Sequence, residues 1–315
     1  MHAPPASVAR HDAARCGFYS VSLATIFPEH GVTGRDATLR DALHTASRRL
    51  ATVSATPRVD AEWLLAQATG LTRGQIKARE ELPLDARAAH RFDALLARRA
   101  EGEPIAYILG EWEFWSLPLE VTPAVLIPRP ETELLVECAL ARLPVDLPTT
   151  VLDLGTGSGA IAIAIARERP TARVTAVDRS ADALTVAARN VARHAPGRVE
   201  LLASDWFESI AGRRFGMIVG NPPYVADDDP ALEAEVAAYE PSTALLAGSA
   251  GLDAITAIVA GAAAHLETGG ALLLEHGSSQ GAAVRQLFMS AAFTHVTTLR
   301  DLAGHERVTS GVTRN

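Results

Sequence analysis

The chain has 315 residues, which is enough for two domains and a sizeable hydrophobic core. It is 48% apolar and 21% charged, as in globular proteins, and no stretch approaches the roughly eighteen unbroken apolar residues of a membrane span. Its two cysteines, Cys16 and Cys138, lie far apart and share no CxxC or Cys/His spacing. This pattern argues against a disulfide framework and a metal site, and we expect a cytoplasmic protein with Cys138 in its core.

The net charge of −8 is unevenly distributed along the chain. Residues 37–100 carry eleven Lys and Arg against seven Asp and Glu, a balance of +4. Residues 101–315 carry fifteen against twenty-seven, a balance of −12, which argues against direct contact with a nucleic-acid backbone. The small basic region is either a solvated helical face or a surface for an acidic protein or ribosomal RNA.

Residues 1–36 resemble no folded domain. Arg10 and Arg15 precede an apolar patch at residues 17–27, as in a signal peptide, but residues 28–30 make a poor cleavage region. We expect a disordered extension, or a start codon placed upstream of the natural one.

From residue 37 to residue 100, apolar residues recur at helical spacing. The rows begin at Leu39, Ala61 and Phe92, and Gly70 provides a C-cap after the second row. Three or four such helices predict a small bundle. Nothing in this region carries catalytic chemistry, so we predict a substrate-docking domain, with a purely structural cap as the alternative.

Residues 101–125 are predicted to form a β-hairpin linker, because Leu117, Leu119 and Val121 alternate along the chain after a cluster of aromatic residues. A catalytic domain is predicted for residues 126–315. It opens with a helix from about residue 131 to 142, with proline at its entry and acidic residues in its first turn. Arg129 at this entry is interpreted either as a site-lining side chain or as part of a structural ion pair.

A buried strand at residues 150–154 leads into a glycine-rich loop and a helix at residues 160–169. Glycines there allow a ligand to approach the backbone closely. The spacing is neither that of a dinucleotide motif nor that of a P-loop, which would be followed by lysine. The candidate loop residues are Gly155, Thr156, Gly157, Ser158 and Gly159.

Two more positions follow strands of the predicted sheet. Asp178 ends a strand at residues 173–177, where its carboxylate can accept both ribose hydroxyls, although helix capping, for which Ser180 competes, is an alternative. Asp205 and Trp206 follow a third strand at residues 199–203. Trp206 can stack on an adenine whose exocyclic amine donates to Asp205, or it can be a core residue.

A fourth strand at residues 215–219 ends in Gly220 and the segment Asn221, Pro222, Pro223 and Tyr224. The two prolines stiffen the loop and lack N–H groups. The Asn221 oxygen and a proline carbonyl can accept both hydrogens of a planar amino group, while the Tyr224 ring packs against its plane. The alternative is a plain turn, which Asn-Pro and Pro-Pro also form.

The remainder continues the alternation of strand and helix. Residues 226–251 are predicted to be an acidic, irregular lid or substrate-facing loop, and His276 is interpreted as structural. The alternation predicts an α/β fold with a mostly parallel sheet that ends in an antiparallel hairpin. The predicted helices cover residues 181–194, 252–266 and 278–291, and the last strands residues 271–274, 295–300 and 306–312.

In their order along the chain, these motifs resemble the release factor glutamine methyltransferases, known as the PrmC or HemK family. The resemblance covers residues 38 to 315. Asn-Pro-Pro-Tyr alone is shared with adenine methyltransferases of DNA, whereas the ordered set is more specific. The motifs are Glu103-Pro104-Ile105-Ala106, residues 114–119, residues 127–133, residues 153–159, Ser204-Asp205-Trp206, Asn221-Pro222-Pro223-Tyr224, residues 273–277 and Glu306-Arg307-Val308.

The resemblance implies a class I methyltransferase fold, Rossmann-like with a mostly parallel seven-stranded sheet, preceded by a helical domain. It implies S-adenosyl-L-methionine as cofactor and the glutamine of the Gly-Gly-Gln motif in class I release factors as substrate. It also leads us to expect a monomer with no metal, no membrane and no direct nucleic-acid partner. By the resemblance, residues 155–159, Asp178, Asp205, Trp206 and Asn221 bind the cofactor and Asn221, Pro222, Pro223 and Tyr224 the glutamine, with Asn221, Pro222 and Tyr224 catalytic.

Three alternatives stay open at this point. A sister enzyme that methylates a glutamine of a large-subunit ribosomal protein differs only subtly in sequence. An adenine methyltransferase of DNA would need a target-reading domain and a basic cleft, against which the acidic catalytic region argues. A non-catalytic binding module on the same fold would not need the complete set of cofactor residues.

Overall fold

The computed structural model describes residues 37–314. The expectations for residues 1–36, including Cys16, lie outside the described residues. Within them, four helices form the amino-terminal part: α1 (Leu39–Leu50), α2 (Pro57–Thr69), α3 (Arg73–Ala78) and α4 (Ala86–Ala100). Thr38, Thr72 and Asp85 each accept backbone N–H groups at a helix start, and Gly70 ends α2 in the left-handed region. The apolar rows meet in one core, so the predicted bundle is present.

The linker differs from its prediction. Residues Ile105–Leu109 form a short helix, α5, and only the segment after it is a hairpin, with β1 (Glu111–Phe114) antiparallel to β2 (Leu117–Glu120). Ile108 is buried in the core of the bundle, and Gly110 ends α5 with a φ of 77°. The prediction of a hairpin across residues 101–125 was therefore wrong for α5, because five residues are too few to show a helical period.

The central element is a seven-stranded sheet in the order β5-β4-β3-β6-β7-β9-β8. The first five strands of this order run parallel, while β9 is antiparallel to both β7 and β8. The predicted mostly parallel sheet with an antiparallel end is confirmed. The strands are β3 (Thr150–Leu154), β4 (Arg173–Asp178), β5 (Val199–Ala203), β6 (Phe215–Gly220), β7 (Leu266–Glu275), β8 (Thr294–Arg300) and β9 (Glu306–Val312).

Helices cover both faces of this sheet, which explains why its central strands are continuously apolar. Val151 belongs to the core on one face, and its neighbour Leu152 belongs to the core on the other. The first face packs against α6 (Glu133–Arg142), α7 (Ala160–Glu168) and α8 (Ala181–His194). The second packs against α11 (Asp253–His265) and α12 (Gly281–Ser290). Cys138 is buried in α6, as predicted.

The segment at residues 226–251 is more ordered than the irregular loop that was predicted. It contains α9 (Ala234–Tyr239) and α10 (Ser242–Leu245), and Val225 forms a parallel bridge with Leu246. We call this segment the lid. Among residues 37–314, no helix has the length and apolar character needed to cross a membrane.

Candidate active site

A cavity of about 430 Å³ opens at the carboxyl edge of the sheet, where parallel α/β folds bind their ligands. The loops after β3, β4, β5 and β6 all contribute to its wall. Gly159, Pro222 and Tyr224 were predicted at the site and do not line this cavity. The predicted residues that do line it are Gly155, Thr156, Gly157, Ser158, Asp178, Asp205, Trp206, Asn221 and Pro223.

The glycine-rich loop contributes bare backbone to the cavity. Gly157 has a φ of 55°, and a Cβ atom placed on it would meet no atom within 4 Å, so a side chain there would project into open space. Gly159 differs, because a Cβ atom would lie 3.1 Å from Ile163 and 3.6 Å from Ala187. Gly159 therefore allows α7 and α8 to pack closely rather than lining the cavity.

Asp178 braces this loop from the end of β4. Its Oδ2 accepts the Gly157 N–H at 2.9 Å, and its Oδ1 accepts the Ser180 N–H at 2.9 Å. The start of α8 is capped by Ser180, whose hydroxyl oxygen accepts the Ala183 N–H at 3.1 Å. Asp178 is thus free of the capping role, and each oxygen of this cavity-lining side chain can accept a further hydrogen bond.

A second carboxyl group, that of Asp153, lies under the same loop and is fully buried. Its Oδ2 accepts the Thr156 hydroxyl at 2.6 Å, whereas its Oδ1 has no hydrogen-bond partner among the described residues. Burial raises the pKa of Asp153 to about 7. A cation bound in the cavity would favour the ionised form of this group.

Trp206 and Asp205 form the wall beyond β5. Trp206 is half-buried with a φ of 44°, and its ring faces Gly155, where an added Cβ atom would lie 3.6 Å away. The Ser204 hydroxyl donates to the Trp206 carbonyl at 3.0 Å and accepts the Ser209 N–H at 3.0 Å, which fixes the loop. The two interpretations of Trp206 are compatible, because the ring packs on the core and also lines the cavity.

The loop after β6 presents Asn221 to the cavity. The Asn221 Nδ2 donates to the Thr132 hydroxyl oxygen at 3.1 Å. Within residues 37–314, neither the Asn221 Oδ1 nor the Pro222 carbonyl oxygen accepts a hydrogen bond. Pro222 itself is buried, and Tyr224 directs its hydroxyl to the Glu275 Oε1, 3.4 Å away. The Asn221 Oδ1 therefore remains at this edge of the cavity as an acceptor without a partner among the described residues.

Glu275, which the sequence reasoning did not assign to the site, is fully buried at the end of β7. Burial raises its pKa to about 7, opposed by the Thr132 hydroxyl and the Arg307 guanidinium. Burial and the nearby Glu275 also raise the pKa of Tyr224, so the phenol stays protonated. The available signal was an acidic residue that directly follows the apolar run at residues 271–274. His276 beside it is also fully buried and bonds to the Thr309 hydroxyl, in keeping with its structural interpretation.

The lid lines another side of the cavity, and ion pairs connect it to the rest of the protein. Arg129 pairs with Glu240, whose side chain is 1% exposed and also accepts the Ile127 N–H. Since Arg129 lines the cavity as well, both of its interpretations apply. Pro241, Thr243, Leu246 and Ala247 add further lining residues that the sequence did not identify.

The lid also contacts the helical bundle. The buried Arg99 of α4 donates to Asp60 at 2.7 Å and to Glu235 of the lid at 3.0 Å. The Tyr239 hydroxyl donates to the Glu101 carbonyl at 3.0 Å. The lid therefore contacts the helical bundle and also lines the cavity. Among residues 37–314 no cluster of His, Cys, Asp and Glu could hold a metal ion.

Two family models match the chain. A model described as the PrmC N-terminal domain matches residues 41–110, which include most of the helical bundle and α5. A model described as the methyltransferase small domain matches residues 130–306, which include the glycine-rich loop and the Asn221 loop. The matched ranges together span both parts of the described structure.

Curated relatives resemble the chain over most of its length. The release factor glutamine methyltransferase of Pseudomonas aeruginosa is 55% identical over 258 residues, which are 82% of this chain and 93% of that protein. The enzyme of the same name from Escherichia coli K12 is 51% identical over the same shares. Among solved structures, a T. thermophilus 16S rRNA N2 G1207 methyltransferase in complex with AdoMet and guanosine is 24% identical. That match covers 65% of this chain and 50% of that one with a TM-score of 0.50, which supports the fold alone.

Proposed function

The chain belongs to the family of release factor glutamine methyltransferases, and on this premise we propose a substrate, a cofactor and a site. It transfers a methyl group from S-adenosyl-L-methionine to the side-chain amide nitrogen of the glutamine in the Gly-Gly-Gln motif of class I release factors. The observation that carries the proposal is the cavity that brings the glycine-rich loop, Asp178 and Asn221 to one edge of the sheet.

The residues around the cavity fit the proposed cofactor. A volume of about 430 Å³ lies within the usual range for small-molecule sites, and the bare backbone at Gly157 leaves room for a ligand. Asp178 offers acceptors for ribose hydroxyls, and Trp206 offers a flat apolar face for a purine, with Asp205 as an acceptor nearby. The unpartnered Asp153 oxygen beneath the loop suits a ligand that carries positive charge. When bound, the cofactor supplies a methyl group activated by a sulfonium centre.

The Asn221 loop provides the grip for the substrate amide. An amide nitrogen is a weak nucleophile, because its lone pair is delocalised into the carbonyl group. The Asn221 Oδ1 and the Pro222 carbonyl, both without partners among the described residues, accept its two N–H hydrogens. Tyr224, whose hydroxyl is held toward Glu275, fixes the plane of the amide. Fixing the direction of the nitrogen in a closed pocket lowers the barrier mainly through orientation.

The helical bundle serves as the docking surface for the release factor. Its sequence carries the surplus of +4, and its exposed apolar side chains include Val59, Trp63 and Leu82. Burying such exposed apolar side chains against a partner protein is more favourable than leaving them in water. On this proposal the enzyme acts as a monomer in the cytoplasm, with the release factor as partner and without direct contact to nucleic acid.

The decisive experiment follows labelled methyl groups from S-adenosyl-L-methionine to a purified class I release factor. A matched release factor carries alanine in place of the Gly-Gly-Gln glutamine. We expect label on the first protein and none on the second. Equal labelling of both proteins would contradict the assignment of this glutamine. If neither release factor were labelled but a large-subunit ribosomal protein were, the substrate would be the ribosomal protein.

A further inference from the structure

We propose that Thr132 and Glu275 are positioning residues that fix which way the Asn221 carboxamide faces. The inference rests on the proposed function, in which the Asn221 oxygen accepts a hydrogen from the substrate amide. Thr132 lies in the turn before α6, Asn221 follows β6 and Glu275 ends β7. Residues from three separate segments of the chain therefore meet around the Asn221 side chain.

The orientation of Asn221 matters because the two ends of a carboxamide have opposite hydrogen-bonding character. Its oxygen can accept an N–H hydrogen of the substrate, whereas its NH₂ group would face that hydrogen with another donor. The Asn221 Nδ2 donates to the Thr132 hydroxyl oxygen at 3.1 Å. This bond leaves the Asn221 oxygen available as the acceptor for the substrate. Thr132 is 4% exposed, so water does not readily replace this contact.

The Thr132 hydroxyl can serve as the acceptor only if its own hydrogen points elsewhere. We assign that hydrogen to the buried carboxyl group of Glu275, because the Thr132 hydroxyl lowers the pKa of Glu275 and its Oε2 has no other partner among the described residues. The sheet register explains the proximity, because Gly220 at the end of β6 pairs with Leu274 in β7. Asn221 and Glu275 each follow a residue of this pair and therefore lie side by side at the edge of the sheet.

The ionised form of Glu275 stabilises this arrangement best, because both of its oxygens then act only as acceptors. Its Oε1 accepts the Tyr224 hydroxyl at 3.4 Å, which leaves Oε2 as the oxygen assigned to the Thr132 hydroxyl. The charged or titratable groups that face it are Arg307 on β9, Glu131 in the turn before α6, and Tyr224. Protonation would place a new donor beside the Thr132 hydroxyl and weaken the preference for Asn221 as donor.

The ionisation of Glu275 gives the inference a pH signature. Burial raises the pKa of this group to about 7, so its carboxylate forms as the pH rises through 7. We expect the methyl-transfer rate constant of the wild-type enzyme to fall as the pH drops from 8 to 6. If Glu275 only filled space in the core, its ionisation would not make the rate constant fall at acidic pH.

The test compares Thr132→Val with Thr132→Ser in single-turnover methyl transfer to the release factor at saturating cofactor. Valine keeps the shape of threonine and removes the hydroxyl, whereas serine keeps the hydroxyl. We expect Thr132→Val to lose about 10- to 100-fold in rate, with cofactor Kd and thermal midpoint near wild type. Thr132→Ser should stay within about threefold of wild type.

A Glu275→Gln variant completes the test, because it cannot ionise. We expect its rate to be lower than that of wild type and independent of pH between 6 and 8. A wild-type rate in Thr132→Val, or an unchanged acidic limb in Glu275→Gln, would overturn the inference. Failure of the proposed function is separable, since the wild-type enzyme itself would then transfer no label to the release factor.

Discussion

Two buried carboxyl groups lie behind two different loops of the cavity wall, and their hydrogen-bond partners come from different distances along the chain. Asp153 lies under the glycine-rich loop, and Glu275 lies behind the Asn221 loop. Each is fully buried, each has a pKa raised to about 7, and each has one oxygen without a hydrogen-bond partner among the described residues. The hydroxyl that bonds Asp153 is only three residues away in Thr156, whereas Tyr224 is 51 residues from Glu275.

The comparison separates the proposed cofactor half, where the glycine-rich loop and the Asp153–Thr156 bond are local in sequence, from the proposed substrate half, which is built by contacts between distant segments. The strongest test of this division is Asn221→Ala. We expect this variant to lose at least about 100-fold in the rate of methyl transfer, because the acceptor for the substrate amide is gone. Single-turnover labelling measures the rate, and calorimetry measures the cofactor Kd, which should rise far less. Substantial remaining turnover would remove Asn221 from its catalytic role.

Asp178→Ala should show the opposite pattern. We expect the Kd for the cofactor to rise about 10- to 100-fold, because the proposed ribose acceptor and the brace on the Gly157 N–H are both lost. The matched control is Asp182→Ala, which removes an exposed carboxylate in the first turn of α8 and should leave the Kd unchanged. Equal effects of the two substitutions would mean that general charge, rather than the position of Asp178, matters.

The two buried carboxyl groups also predict a pH dependence of stability. Their pKa values are raised from ordinary values near 4 to about 7, so the folded protein binds more protons than the unfolded chain between pH 4 and 7. The free energy of unfolding should therefore fall as the pH rises through this window, by roughly 1–3 kcal/mol for each group. Denaturation at pH 5 and pH 8 should show a smaller fall in Asp153→Asn and in Glu275→Gln. An unchanged slope in both would mean that neither group titrates in this range.

The smallest effect is expected at the lid. Arg129→Ala leaves the buried Glu240 with the Ile127 N–H but without its cation, so the lid should be held less firmly. We expect the cofactor Kd to rise about 3- to 10-fold, measured by calorimetry. Arg193→Ala removes an ion pair with Glu111 in which both side chains are half exposed, and should change nothing measurable. If both variants behaved alike, the lid would have no part in holding the cofactor.

Much of the fold was predictable because its strands and helices have clear periods. The helix at residues 181–194 and the strand at residues 199–203 have the predicted bounds. The short helix α5 and the two helices in the lid were missed, since six or fewer residues show no period of their own. The strand β7 was predicted as residues 271–274 and spans Leu266–Glu275, because pairing with β6 extends it past two glycines.

The candidate site was predictable where a motif lies within a few neighbouring residues. The loop at residues 155–159 and the segment at residues 221–224 combine residue types that already indicate their chemistry. Their proposed roles stay predictions until the variants above are measured. Thr132 and Glu275 have no such pattern, because a threonine before a helix and a glutamate after a strand are common in many proteins.

The sequence alone was sufficient for the order of the longer strands and helices, the glycine-rich loop and the Asn-Pro-Pro-Tyr segment, because backbone preferences and short motifs act over a few residues. Only the tertiary structure decided that Thr132, Asn221 and Glu275 meet, that Gly159 serves helix packing, and that Arg99 joins the bundle to the lid. These contacts join segments up to 143 residues apart. The register of parallel strands explains the meeting of Asn221 and Glu275, because it gathers distant carboxyl ends at one edge of the sheet, whereas the other contacts depend on how helices and the lid pack.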